Sequence, residues 1–133
     1  MCMELVACTK EYWQFVRLLR MDPRVIEGFV DRVNITEEQQ NQYMSQNHEN
    51  YRIALIEGIP AGYVGVIEDD IRVCTSPEFQ GRGVGKFMIN QCKKLWPNAY
   101  AKVKHSNLNS SKLFLSCGFY ESNRDENFVY YKN

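Results

Sequence analysis

Three glycines stand at alternate positions, 81, 83 and 85, between an apolar run and a helical pattern that begins at Val84. Residues without a Cβ let successive backbone N–H groups turn inward and approach a ligand closely. The helix that follows adds its free N-terminal N–H groups and roughly half a positive charge. This strand–loop–helix segment is typical of a phosphate or pyrophosphate site. A glycine turn that only joins strand to helix is the structural alternative.

The spacing of the loop excludes two common nucleotide motifs. A Walker loop needs Gly directly before Lys and Ser or Thr, whereas Gly85 and Lys86 are followed by Phe87. A dinucleotide fingerprint needs its third glycine one position later, where Lys86 stands. Gln80, Arg82 and Lys86 supply further hydrogen-bond donors beside the loop.

Periodicity along the chain predicts alternating groups of strands and helices. Strands are predicted near 3–8, 51–55, 61–67, 71–75, 99–104, 119–121 and 128–132, and helices near 9–21, 36–47, 84–96 and 109–116, with a weaker amphipathic segment over 25–33. Thr9 is the expected cap of the first helix, and Thr36 with Gln39 matches a capping box. The order β-α-α-β-β-β-α-β-α-β-β, with an antiparallel meander in the middle, predicts an α+β (mixed α/β) fold rather than a simple doubly wound sheet.

Length and charge set the class of protein. The 133 residues suffice for a single sizeable core, so one domain is expected over 1–133. Sixteen basic residues balance sixteen acidic ones, which leaves no charge footprint for nucleic acid or for a membrane surface. The first residues lack a signal-peptide pattern and no apolar run is long enough to span a bilayer, so a cytoplasmic protein is expected.

The cysteines and histidines give no sign of a disulfide framework or a metal site. Five cysteines occur without CxxC spacing, which favours reduced thiols. His48 and His105 lie far apart with no cysteine pattern beside them, so no metal is expected. Cys74 and Cys117 have no evident histidine partner, and buried thiols are favoured over nucleophiles.

Two stretches of the sequence resemble the GNAT superfamily of acyl-CoA-dependent N-acetyltransferases. Residues 73–86 match the family's strand, proline and Gln/Arg-x-x-Gly-x-Gly/Ala loop, with Gln80, Gly83 and Gly85 at the signature positions. Residues 107–119 match its Asn–helix–Gly-Phe segment. The order of elements fits over nearly the whole chain. The resemblance implies the GNAT fold, a central, mostly antiparallel twisted sheet flanked by helices.

The resemblance also implies acetyl-CoA as the ligand of the loop. Backbone at 81–86 would wrap the pyrophosphate, and the strand edge at 73–75 would pair with the pantetheine arm, where one N–H would polarise the thioester carbonyl. The thioester would enter a cleft where this strand splays from the strand at 99–104. The residues implied to bind the coenzyme are Val73, Cys74, Thr75, Gln80, Gly81, Arg82, Gly83, Val84, Gly85, Lys86, Asn107 and Phe114.

The sequence departs from the family at two catalytic positions. Many relatives carry Tyr as a general acid where this chain has Phe114, and some carry Glu as a base where it has Lys102. Glu68, in the turn beside the cleft strand, is therefore the candidate base, acting directly or through water. A solvated hairpin turn is the alternative for Glu68. His105 is a candidate contact for the acceptor or the coenzyme, or an exposed side chain.

Transfer of acetyl from acetyl-CoA to a primary amine, by direct attack in a ternary complex, is the function that the resemblance implies. The second motif resembles the branch that acts on nucleotide-linked amino sugars, so a small-molecule amine is the expected partner of a monomer or homodimer. A non-catalytic acyl-CoA-binding module and a protein or peptide N-acetyltransferase are the alternatives. The region where relatives bind the acceptor corresponds here to a segment with Arg24, Glu27, Phe29 and Asp31. A plain surface helix is the alternative for that segment. Packing in an edge strand explains the aromatic residues Phe128, Tyr130 and Tyr131 without a function.

Overall fold

The computed structural model describes residues 2–25 and 34–133, in which seven strands form one sheet flanked by four α-helices. The strands are β1 (Met3–Ala7), β2 (Tyr51–Ile56), β3 (Ile59–Ile67), β4 (Asp70–Thr75), β5 (Tyr100–Lys104), β6 (Tyr120–Arg124) and β7 (Phe128–Lys132), and the helices are α1 (Trp13–Arg20), α2 (Glu37–Asn47), α3 (Val84–Leu95) and α4 (Leu108–Ser116). The α+β fold and the order of elements predicted from the sequence are confirmed. The amphipathic segment predicted over 25–33 lies outside the described residues from 26 onward.

A side-chain cap was predicted for the first two helices, and it is present in one of them. The capping box at Thr36 is present, because the Thr36 side chain accepts from the Gln39 N–H at 3.1 Å and the Gln39 side chain accepts from the Thr36 N–H at 2.9 Å. Thr9 occupies the N-cap position of the helical segment that leads into α1, as predicted, but its side chain makes no capping hydrogen bond. Its hydroxyl donates to Glu11, and a 3-10 turn over Lys10–Tyr12 precedes α1.

The sheet separates two hydrophobic clusters. On one face α3 and α4 pack against the strands through side chains such as Met88, Cys92 and Phe114. On the other face α1 and α2 pack against β2, β3 and the end of β4, with Val16 and Met44 buried. The two pairs of helices therefore cover opposite sides of the same sheet.

The strands follow the order β1-β2-β3-β4-β5-β7-β6, and the β4–β5 pair alone runs parallel among the pairs described. The sequence predicts that the strand at 128–132 lies at the edge of the sheet. This prediction is wrong, because β7 lies between β5 and β6 and the edge strand is β6. Tyr131 is consequently a buried side chain, and its ring centroid lies 6.2 Å from that of Phe114.

All five cysteines are described, and none forms a disulfide. Cys2 is exposed, whereas Cys8, Cys74, Cys92 and Cys117 are buried and pack as small apolar side chains. Within the described part of the chain, no helix is long and apolar enough to cross a membrane.

Candidate active site

β4 and β5 part from one another soon after they begin. Their register pairs Asp70 with Tyr100, and the Tyr100 N–H donates to the Asp69 carbonyl oxygen at 2.8 Å. No further pair joins the two strands in the described structure. The sheet is therefore split toward Thr75 and Lys104, which are the carboxyl ends of β4 and β5.

Among the described residues, no strand pairs with the edge of β4 that faces this split beyond Asp70. On the other edge, the Ser76 N–H donates to the Ala61 carbonyl oxygen at 2.8 Å, and the same register continues along β3 and β4. Since backbone groups alternate in direction along a strand, the N–H groups of Val73 and Thr75 point away from β3 and into the split. The Cys74 N–H points toward β3 and belongs to that ladder.

The glycine loop brings the N-terminus of α3 to the same opening. Gly81 and Gly83 have φ of 79° and 83°, the left-handed region that favours glycine, and Gly83 is the N-cap of α3. The first helical hydrogen bond runs from the Phe87 N–H to the Gly83 carbonyl at 3.0 Å. The N–H groups of residues 84–86 therefore have no acceptor within the helix. The first turn of α3 has no acidic side chain to compensate the positive end of the helix.

Gly85 serves a different purpose from the other two glycines. A Cβ at this position would lie 2.9 Å from Leu113 Cδ2 on α4 and 3.5 Å from Thr75 Oγ1 on β4. Glycine thus lets α3 approach both α4 and the end of β4. A Cβ added to Gly81 or Gly83 would meet no atom within 4 Å.

α4 also directs its N-terminus at the opening. Asn107 is its N-cap, and Asn107 Oδ1 accepts a hydrogen bond from the Ser110 N–H at 3.2 Å. This bond leaves the Asn107 Nδ2 group as a donor. The first turn of α4 has no acidic residue. Two helix N-termini and the Lys86 ammonium therefore make the opening electropositive.

These elements line a cavity of about 640 Å³. Its wall consists of Arg24, Val25, Val73, Cys74, Thr75, Phe79, Gln80, Gly81, Gly83, Val84, Gly85, Lys86, Asn107, Asn109, Ser110 and Leu113. The cavity thus joins the two features needed by a long ligand with amide groups and an anionic end. An open strand edge can pair with the amides, and two helix N-termini can bind the anion.

Comparison with known proteins agrees with this geometry. The family model described as Acetyltransferase (GNAT) family matches residues 12–119. The chain belongs to the GNAT family. Its enzyme class, an acyl-CoA N-acyltransferase, was expected from the sequence and is confirmed at the level of the family. Among curated proteins, no significant match was found.

Solved structures share the GNAT fold at low sequence identity. A spermidine N-acetyltransferase from Vibrio cholerae in complex with CoA and spermine has a TM-score of 0.82 at 17% identity, covering 97% of this chain and 92% of that one. A Salmonella typhimurium protein solved with its cofactor acetyl-CoA has a TM-score of 0.83 at 12% identity, covering 98% and 92%. An N-acetyltransferase from Thermoplasma acidophilum in complex with coenzyme A has a TM-score of 0.67 at 13% identity, covering 100% and 99%.

Most residues that the GNAT resemblance assigned to the coenzyme lie together in the cavity wall. They are Val73, Cys74, Thr75, Gln80, Gly81, Gly83, Val84, Gly85, Lys86 and Asn107. Arg82 does not line the cavity, and its guanidinium carbon lies 5.4 Å from the Phe79 ring centroid. Sequence reasoning did not assign five lining residues to the coenzyme, Val25, Phe79, Asn109, Ser110 and Leu113. Phe79, Ser110 and Leu113 nevertheless lie within the two motifs that carry the GNAT resemblance.

Phe114 is not in the cavity wall. It is 3% exposed and packs in the cluster between the sheet and α3 and α4. Its ring centroid lies 5.2 Å from that of Phe119 and 6.2 Å from that of Tyr131. α4 presents Leu113 to the cavity and turns Phe114 toward the sheet, so the geometry does not support a coenzyme contact by Phe114.

Glu68 lies at the closed end of the split. It is in the β3–β4 turn with φ of 51°, whereas the cavity is lined by the opposite end of β4. The strand Asp70–Thr75 spans about 16 Å at ~3.3 Å per residue. The structure therefore does not bring the predicted base to the cavity. Within the described residues, no carboxylate and no histidine lines the cavity.

Arg24, which lines the cavity, belongs to an ion-pair network. Arg24 Nη2 lies 2.7 Å from Asp22 Oδ2 and 3.0 Å from Glu78 Oε1. The Ser76 hydroxyl donates to Glu78 Oε2 at 2.6 Å, and this bond, with the Glu78 N–H and Arg24, holds the pKa of Glu78 below its usual value. The network ties the segment after α1 to the turn before the glycine loop. The other acceptor-region candidates, at positions 27, 29 and 31, lie outside the described residues.

The remaining candidates have structural contacts. Burial, with a smaller contribution from Asp22, raises the pKa of Cys74 to about 12, so its thiol is protonated at neutral pH. His105 Nε2 lies 2.7 Å from the Asp125 carbonyl oxygen, outside the cavity wall. Lys102 Nζ lies 4.3 Å from the Phe128 ring centroid. In the described part of the chain, no three His, Cys, Asp or Glu side chains are grouped as a metal site needs.

Proposed function

We propose that the chain transfers an acetyl group from acetyl-CoA to a primary amine of a small molecule. The observation that supports this most strongly is the cavity, where the unpaired N–H groups of Val73 and Thr75 lie beside the N-termini of α3 and α4. Membership of the GNAT family points to the same ligand. Neighbours of the same fold were solved with CoA or with acetyl-CoA.

The residues present fit the coenzyme. The free N–H groups of residues 84–86 can donate to the pyrophosphate, and the Lys86 ammonium adds a charge-assisted hydrogen bond. The edge of β4 at Val73 and Thr75 can pair with the amides of the pantetheine arm. Asn107 Nδ2 adds a donor from α4. Around Gly81 and Gly83 an added Cβ would meet no atom within 4 Å, so the bare backbone leaves room for phosphate oxygens.

Acetyl-CoA supplies the acetyl group as a thioester. The acceptor nitrogen bonds to the carbonyl carbon, the carbon–sulfur bond breaks, the nitrogen gives up a proton, and the sulfur leaves as a thiolate that takes a proton from solvent. The N–H of Val73 or Thr75 stabilises the charge that develops on the carbonyl oxygen. A thiol with a pKa of about 8.5 can leave without a side-chain acid, so Phe at position 114 does not prevent the reaction.

The acceptor must lose a proton before it attacks. An alkyl ammonium of the lysine kind has a pKa of about 10.4 and is almost wholly protonated near neutral pH. No carboxylate or histidine among the described residues lines the cavity, and we propose that the acceptor loses this proton to water before it attacks. At subsaturating acceptor, kcat/KM is therefore expected to rise with pH to a plateau, without the alkaline fall that a catalytic Tyr would give.

An amino sugar is the more specific acceptor that the sequence supports. That proposal rests on the form of the motif at 107–119, which resembles GNAT enzymes acting on nucleotide-linked amino sugars. The name of one neighbour indicates a different amine, spermidine. A protein or peptide acceptor, and coenzyme binding without turnover, are the alternatives.

Two measurements separate these functions. Calorimetric titration measures the binding of acetyl-CoA, and a coenzyme-release assay measures turnover with an amino sugar, a polyamine and a lysine-containing peptide. Binding with release that depends on a small amine supports the proposal. Binding without release for any amine favours a binding module, and a peptide as the best acceptor favours a protein acetyltransferase. Absence of acetyl-CoA binding would overturn the proposed function.

A further inference from the structure

Cations flank the split on the sheet face that is opposite to α3 and α4. Asp70 pairs with Tyr100 in parallel register, so Arg72 and Lys102, two residues further along the parting strands, have their side chains on the same face. The intervening residues Ile71 and Ala101 are buried in the cluster with α3 and α4. Arg72 and Lys102 therefore face away from that cluster, one on each strand of the split.

Within the described residues, no helix covers this part of the sheet. α1 and α2 pack on β2, β3 and Cys74 of β4, and no residue of β5 or β7 belongs to their cluster. On β5 and β7 the same face instead presents three partly exposed rings, those of Tyr100, Phe128 and Tyr130. The face thus combines cationic side chains with an aromatic surface beside the split.

Only the Nε atom of the Arg72 guanidinium group forms an ion pair with a described residue. Its Nε lies 3.3 Å from Asp70 Oδ2, and the Arg72 side chain is 40% exposed. Its terminal nitrogens make no hydrogen bond to any residue in the described ranges. Burial raises the pKa of Asp70, while the charges of Arg72 and Lys102 act in the opposite direction, which places both cations near this carboxyl group.

Lys102 lies against an aromatic ring, and its charge also acts on the carboxyl groups of Asp70 and Asp125. Its Nζ lies over the Phe128 ring, and it forms no ion pair with a described residue. Besides Asp70, the charges of Glu68 and Asp69 in the β3–β4 turn act on Tyr100, and Asp125 lies within electrostatic reach of Lys102. Asp125 accepts hydrogen bonds from the Asn127 and Phe128 N–H groups at 2.9 Å and 2.8 Å and from the Tyr130 hydroxyl at 2.8 Å. Those donors make the larger contributions to the lowered pKa of Asp125 and Lys102 the smallest, so the Lys102 ammonium can still bind a ligand.

We propose that the acceptor amine carries an anionic group, a phosphate or a carboxylate, which Arg72 and Lys102 bind while the amine enters the split. The inference rests on the proposed acetyl transfer and adds the charge of the acceptor. Arg72 is the residue before Val73, whose N–H faces the split, so the anionic group lies close to the reacting amine. The terminal N–H groups of Arg72 suit the oxygens of a phosphate or carboxylate. Tyr100, Phe128 and Tyr130 provide a flat surface for the body of the ligand.

The same charges act against a polycation. A second ammonium group on the acceptor would meet Arg72 and Lys102 as like charges, which costs affinity. Spermidine is therefore expected to be a poor acceptor for this chain.

Matched amines test the inference. 4-(Aminomethyl)benzoate is compared with its neutral analogue 4-(aminomethyl)benzamide, and glucosamine 6-phosphate with glucosamine, while spermidine is the polycation. The first pair tests a carboxylate and the second a phosphate. In at least one pair the anionic amine should have a kcat/KM at least about tenfold above that of its neutral partner, the effect expected of a hydrogen-bonded charge pair. Spermidine should be the weakest acceptor.

Variants connect the preference to the two cations. Lys102→Gln and Arg72→Gln should each reduce the ratio of anionic to neutral kcat/KM, mainly through KM, and Lys102→Glu should reverse it. Lys94→Gln is the matched control, because Lys94 is an exposed lysine near the end of α3 and distant from the split. This control should leave the ratio unchanged. Circular dichroism establishes that each variant is folded.

The possible outcomes separate this inference from the proposed function. Equal use of anionic and neutral amines, or a preference that survives in both Lys102→Gln and Arg72→Gln, overturns the inference while acetyl transfer stands. If no amine is turned over, calorimetric titration of the same amines into the protein–CoA complex compares the affinities for anionic and neutral amines instead. Absence of an anionic preference in that titration also overturns the inference. Failure of the unmutated protein to bind acetyl-CoA overturns the proposed function itself.

Discussion

The three alternate glycines have two structural roles within a short loop, positive φ and close helix packing. Gly81 and Gly83 are required by left-handed backbone, and Gly85 by the approach of α3 to Leu113. The sequence predicts bare backbone at all three positions. It does not reveal the contact between Gly85 and Leu113, because that contact joins two helices far apart in the chain.

Alanine substitutions should separate these two roles. Gly83→Ala is expected to weaken acetyl-CoA binding about tenfold, since a left-handed residue with a Cβ costs ~1–2 kcal/mol and relieving that strain moves the free N–H groups of α3. Gly85→Ala should weaken binding less, because the clashing atom is a terminal methyl of Leu113 that can rotate away. Calorimetric titration compares the two variants. A larger loss for Gly85→Ala would contradict the roles assigned to them.

The position of Glu68 gives a second prediction for a single residue. Glu68→Gln should change kcat/KM by less than about twofold, a small fraction of the 1.36 kcal/mol that a tenfold change represents. The reason is that β4 separates Glu68 from the cavity. Initial rates over a range of pH measure this. A low-pH limb depressed specifically in Glu68→Gln would show that Glu68 is the base after all.

Among the elements, those with strong local signals were predicted closely. The strand Phe128–Lys132 has the expected bounds, and Tyr100–Lys104 begins one residue later than predicted. In Tyr100–Lys104 the alternation of Ala101 and Val103 with Lys102 and Lys104 indicates both the strand and its faces. Residue patterns do not predict which strands pair with these two in the sheet. β7 lies inside the sheet and β6 at its edge, since strand order depends on pairing between distant segments.

In the turn between β6 and β7, hydrogen bonds to the Asp125 carboxylate make the stability of the fold depend on pH. The N–H groups of Asn127 and Phe128, followed by the Tyr130 hydroxyl, lower the pKa of Asp125. The unfolded chain has the ordinary aspartate pKa of about 3.9. Since the folded pKa is the lower one, the stabilisation is present above the unfolded value and is lost as pH falls through the folded value.

Asp125→Ala should therefore lower the Tm near neutral pH and lower it less below about pH 3. Glu126→Ala is the matched control, because Glu126 lies in the same turn and its side chain makes no hydrogen bond to a described residue. Thermal unfolding followed by circular dichroism across pH measures both. A Tm difference for Asp125→Ala that does not vary with pH would contradict the hydrogen-bonded role of this carboxylate.

For the whole molecule, the parting of β4 from β5 decides where chemistry can occur. The GNAT resemblance implied this split, and the structure places it beyond the Asp70–Tyr100 pair. Residue patterns alone do not show which end of β4 opens, so they could not place Glu68, which is adjacent to β4 in sequence, relative to the cavity. The juxtaposition of Arg72 and Lys102 likewise follows from the register of two strands that are distant in sequence.

Residue-resolved amide hydrogen exchange along β4, measured with and without acetyl-CoA, tests the central claim most directly. The N–H groups of Val73 and Thr75 face the split, whereas those of Arg72 and Cys74 belong to the ladder with β3. Saturating acetyl-CoA should slow exchange at Val73 and Thr75 and in the first turn of α3, and should leave Arg72 and Cys74 nearly unchanged. Uniform slowing along β4, or no slowing at Val73 and Thr75 while the coenzyme is bound, would contradict coenzyme binding in the split.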